Sequence, residues 1–246
     1  MKTRMIIFLC MIASVTTFGQ EQKAITGSLK EVAISPARFS GSKKANPLLP
    51  EGKTESIDNY LSRNVQYPKT DAANFTQGTS IVKFVVSPKG EIHDFTVINS
   101  VSTDIDEEVI RVLKTTEGMW MPGSLNGKPV AEEREVSVTF KLTDSPKNQG
   151  YDYLIRIYFA KGGEMLFKKK DPKKALKYYD KGIVLLPKDI NMLMARGMAR
   201  YELGDKQGAY QDWNRIRALG GLQSEDYLNI YSDFKGIAEL IQILKK

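Results

Sequence analysis

The sequence predicts a chain in two parts. An α+β region with a three-stranded antiparallel sheet and helices spans residues 53–143, and an all-α region spans residues 150–246. Three observations predict it: two β-branched runs flank a tight turn, a third run alternates strictly, and a 34-residue period then replaces the alternation.

The first helix is expected over ESIDNYLSRN, where Ile57, Tyr60 and Leu61 fall on one face. TSIVKFVVS and EIHDFTVINS read as two strands. Between them Ser87-Pro88-Lys89-Gly90 supplies turn residues, so the pair is a β-hairpin. Asp104 offers an N-cap with Glu107 three residues on, and Ile105, Val109, Val112 and Leu113 make one helical face that Gly118 closes. In REVSVTFKL, Val136, Val138, Phe140 and Leu142 alternate with Glu135, Ser137, Thr139 and Lys141, which gives one buried and one wet face.

In the helical region Gly163 and Gly197 stand 34 residues apart, as do Asp171 and Asp205, Ala175 and Ala209, and Tyr179 and Trp213. That is the period of a tetratricopeptide helix pair. Small residues let helices approach, and an aromatic fills the groove between them. Pro187 ends the first unit, and Gly182 stands where the repeat usually has Ala. The reading is two repeats and a capping tail, SEDYLNIYSDFKGIAELIQILKK.

Residues 1–19 combine a basic start, an apolar run and small residues before Gln20, the pattern of a cleaved secretory signal. A retained membrane anchor is the rival, although the run is shorter than the ~20 residues a span needs. Residues 20–52, with several Ser, Lys, Pro and Gly, read as a flexible linker. Cys10, the one cysteine, leaves with the signal, so a disulfide scaffold, a thiol enzyme and a cysteine–zinc protein are excluded. The net charge of +7 is concentrated in the C-terminal half.

Chemistry is sparse. His93 is the single histidine and sits in a strand. Asp104, Asp106, Glu107 and Glu108 fit capping of a first helical turn better than a metal site. No Gly-rich phosphate loop follows a strand. The chain is read as a non-enzyme with no catalytic residues, no cofactor and no metal. Lys168, Lys169, Lys170, Lys173, Lys174 and Lys177 fit a solvated helix face or a contact with an acidic peptide or lipid head groups. Secretion argues against nucleic acid as a partner, and membrane contact is expected only indirectly or through this basic face.

LSRNVQYP, GTSIVKFVVSPKGEIHDFTVINSV, DIDEEVIRVLK, Trp120 with Pro122-Gly123, and Asn126-Gly127-Lys128-Pro129, in this order, resemble the C-terminal domain of TonB. The resemblance implies a periplasmic module that grips an extended segment of outer-membrane receptors by adding it to its sheet. It points to the region before Tyr67-Pro68, namely Arg63, Asn64, Val65, Gln66 and Tyr67. An unpaired sheet edge is independently a binding template, and the strand carrying Arg134, Val136, Val138 and Phe140 is the expected edge. Protein partners, among them TonB-dependent outer-membrane receptors, follow from this resemblance. The expected role is a periplasmic adaptor that captures peptides at this edge and meets a second protein through the helices. The alternative is a membrane-anchored energy transducer. Residues 20–52 disfavour it, since even fully extended at ~3.5 Å each they reach about 115 Å, and they are no stiff proline-rich spacer.

Overall fold

The structure, a computed structural model, describes residues 33–41, 55–143, 146, 150–221 and 231–245. The signal expected over residues 1–19 lies outside them.

The α+β region is built as expected. Helix α1 (Ile57–Asn64) starts on Ser56, whose side chain caps Asn59. A short helix, α2 (Lys69–Ala73), follows directly on Pro68, which the alternation of the flanking sequence did not suggest. Strands β3 (Gly78–Val86), β4 (Ile92–Asn99) and β8 (Glu132–Phe140) form an antiparallel sheet in the order β4-β3-β8. Helix α3 (Thr103–Thr115) covers one face. Its cap is Ser102, which accepts from Ile105 N–H, and not Asp104, which lies inside the first turn. Val82, Phe84, Val86, Val136 and Phe140 meet Leu61, Ile105, Val109, Val112 and Leu113 in one core.

Two parts were not read from the sequence. Between α3 and β8 lie β5 (Trp120–Met121) and the hairpin β6 (Gly123–Leu125) and β7 (Lys128–Val130). Asn126 and Gly127 turn it at positive φ, 51° and 79°, the backbone that an Asn-Gly hairpin turn requires. Second, residues 33–41 are no free linker. β1 (Ile34–Ser35) pairs with β6, and β2 (Arg38–Phe39) pairs with β5. Phe39 sits against the rings of Tyr60 and Trp120 at 5.6 and 5.4 Å, and Ala37 N–H donates to Glu132. A single buried aromatic plus backbone pairing anchors this segment, which is too short to show a period. A Cβ added at Gly41 would lie 3.2 Å from the Glu55 backbone nitrogen.

The helical region packs as antiparallel neighbours: α4 (Tyr151–Gly163), α5 (Pro172–Leu185), α6 (Ile190–Glu202), α7 (Lys206–Ala218) and α8 (Ile237–Lys245). Asp171 and Asp205 cap α5 and α7 through Lys174 and Gly208 N–H. Ala175, Tyr179, Ala209 and Trp213 are buried in one core with Leu240, and Pro187 lies in the α5–α6 connection. One pairing is shifted. Trp213 lies against Gly197, but Tyr179 lies against Gly162, where an added Cβ would stand 2.7 Å from its ring; Gly163 meets only the hydroxyl, at 3.8 Å. The cause is the π-helical turn Glu164–Lys168 that continues α4. A π-turn inserts one residue into an α-helix and rotates all that precedes it. Gly182 is filled by Met192, whose sulfur lies 2.6 Å from where a Cβ would be.

The two regions touch. Thr79 and Tyr151 hydroxyls both donate to Leu185 C=O, at 2.9 and 2.6 Å. A Cβ on Gly78 would lie 2.8 Å from Val184, so the glycine permits this close approach.

Candidate peptide-binding edge

An extended chain can be added only where a strand leaves its outer N–H and C=O groups unpaired. The sheet has two such rims, β4 and β8, and their geometry differs. β3 and β8 pair without interruption from Gly78↔Phe140 to Val86↔Glu132. β3 and β4 slip register twice, and Asp94 sits at φ 55°. Bulges of this kind twist an edge and break its template. β8 is the regular edge.

A groove runs along it. Leu61 and Val65 of the α1 end and Tyr67 form one wall, and residues 137–141 form the other, enclosing about 390 Å³. Tyr67 stands at right angles to Phe140, ring centroids 5.3 Å apart, and its hydroxyl donates to Thr76 C=O. Burial, with Asp71 nearby, pushes the Tyr67 phenol up to about 12, so it stays neutral and its hydrogen bond persists across ordinary pH.

The expected contact residues divide. Val65, Tyr67, Val138 and Phe140 face the groove. Val136 is buried in the core and offers only its backbone. Arg134 pairs with Glu132 at 3.3 Å, further along the strand. Arg63 is turned away to Glu55, and the Asn64 amide donates to Tyr60 C=O. Gln66 faces a second hollow with Pro68, Glu107, Glu108 and Arg111. There Glu108 accepts from Gln66 N–H at 2.7 Å. The Arg111 hydrogen bond holds the Glu108 carboxyl below its ordinary value, against the effect of burial and with help from that same amide. Helix α3 thus fixes the backbone of the segment before Tyr67, a role that charges on a helical face did not disclose. Leu61, on the apolar face expected of the first helix, and Lys141, on the expected wet face of the last strand, also line the groove.

Other candidates have structural partners. Asp106 is buried and accepts from Ser80 and Ser100 hydroxyls and Val101 N–H. His93 lies on β4 and is half exposed, 3.0 Å from Asp94. Among the described residues no group of three His, Cys, Asp or Glu side chains is placed to hold a metal, and no helix is long and apolar enough to cross a membrane. In the basic run Lys169 pairs with Glu164 and Lys174 with Asp171.

Comparison with known proteins places the first region. Residues 63–142 match the family described as "Gram-negative bacterial TonB protein C-terminal". No curated protein matches the chain. Two solution structures of the Helicobacter pylori TonB C-terminal domain are similar to part of it. One shares 15% identity and covers 36% of this chain and 79% of that one; the other shares 18% and covers 36% and 92%; both have a TM-score of 0.29. That family is non-catalytic and covers one part of the chain only. Residues 63–142 are thus similar to a TonB C-terminal domain, and the helical unit lies beyond the reach of the family match.

Proposed function

We propose that this protein is a periplasmic adaptor, exported through its N-terminal signal, that captures extended segments of envelope or outer-membrane transport proteins by adding them as a strand to β8. The carrying observation is the uninterrupted β8 edge beside the Val65–Tyr67 groove, set against a bulged β4. Main-chain hydrogen bonds supply affinity in this mode, and alternate side-chain pockets supply selectivity. A TonB C-terminal domain itself suggests receptors of the outer membrane as partners. We read the helical unit as two tetratricopeptide-like pairs with a cap, and as the seat of a second protein partner. Its hollow of about 760 Å³, lined by Phe167, Met198, Tyr231 and Phe234 among others, is the surface for that contact.

The test is a pair of neighbouring prolines, Ser137→Pro and Val138→Pro. Successive N–H groups of an edge strand point alternately to the partner strand and outward. One variant therefore breaks the ladder to β3 and unfolds the domain. The other stays folded by circular dichroism and loses capture of receptor-derived peptides. A folded variant that binds as tightly as the parent, with its neighbour unfolded, would falsify the β8 reading.

A further inference from the structure

Glu135 is a charged β8 side chain that reaches the helical unit. It accepts from Arg215 of α7 at 2.6 Å and pairs with Lys188, just after α5, at 3.3 Å. Two cations share one carboxylate, and Lys188 remains 46% exposed. Alternation fixes the geometry: Val136, Val138 and Phe140 point to the α1 and α3 side, so Glu135, Ser137 and Thr139 point the other way.

We propose that the helical unit reads one side chain of any strand added to β8. An acidic residue across from Glu135 is received by Lys188, with Arg215 behind it. The inference rests on the β8 reading above. A strand added there sets its opposed residue about 5 Å from Glu135, Cβ to Cβ, which the four-carbon lysine stem spans. An Asp or Glu at that place balances the surplus cation, and a Lys or Arg adds a third positive charge. On the opposite face the added strand meets Leu61, Val65 and Tyr67, which favour apolar residues. The ligand class is an extended segment with apolar residues on one face and a carboxylate on the other. Lys188 and Arg215 both lie outside residues 63–142, so this selectivity belongs to the two units jointly.

The experiment uses the full chain and labelled peptides alternating Val and Thr, with Glu replacing one Thr at a time, followed by fluorescence anisotropy at low salt. Glu at one Thr position is expected to tighten binding about threefold, the range of an exposed ion pair. The gain should vanish in Lys188→Gln and at high salt, while the all-Thr peptide binds parent and variant equally. If the all-Thr peptide binds but no Glu position gains, or the gain survives Lys188→Gln, the inference is overturned and the β8 reading stands. If no peptide binds, both are overturned.

Discussion

Phe39 shows how much one side chain can settle. It is buried between Tyr60 and Trp120 and ties a segment that precedes the family match to the core of the domain. Phe39→Ala should lower unfolding free energy by about 3 kcal/mol, the low end for a buried phenylalanine. Denaturant titration of the full chain measures it, and a change under 1 kcal/mol would mean that the segment is not anchored. Val136 and Phe140 were legible as core because strict alternation reports burial. Phe39 was not, because one aromatic among Ser, Pro, Arg and Lys carries no period. Arg63, singled out by its proximity to Tyr67-Pro68, has an ion-pair partner in Glu55. Pairing of charges across turns leaves no mark in a sequence.

At the scale of elements, the sheet and α3 were readable and the β5–β7 strands were not. Each of these is two or three residues long, shorter than any pattern that alternation can reveal. Asn126-Gly127 was the available signal, since that dipeptide favours the positive φ of a two-residue hairpin. Gly127→Val forces a β-branched residue to φ 79° and should cost about 1–2 kcal/mol; an unchanged melting temperature would contradict the turn. In the helical unit the 34-residue spacing of Asp171 and Asp205 or Ala175 and Ala209 reported real equivalence. The glycines did not pair at that spacing, because the π-turn after Gly163 adds a residue that no periodicity count can see.

The whole molecule joins the two units through Thr79, Tyr151, Leu185 and the Glu135 cluster. Burial pushes the Glu135 carboxyl up, but the Arg215 hydrogen bond and charge, with Lys188, outweigh it and leave it lowered. A group with a lowered folded pKa stabilises fully above its unfolded value, here 4.5, and loses that contribution as pH falls through the folded value. Unfolding midpoints should therefore decline below about pH 4.5, and less steeply in Glu135→Gln. Parallel slopes for the two proteins would show that this contact contributes nothing. No single-unit reading of the sequence could place this junction, because its bonded residues are up to 106 positions apart.

The central claim is that β8 takes an added strand, and amide hydrogen exchange along both edges tests it most directly. With a saturating receptor-derived peptide on the full chain, alternate amides of residues 133–140 should become protected while those of β4 exchange as before. Protection confined to β4, or none in β8 while the peptide is bound, would contradict it.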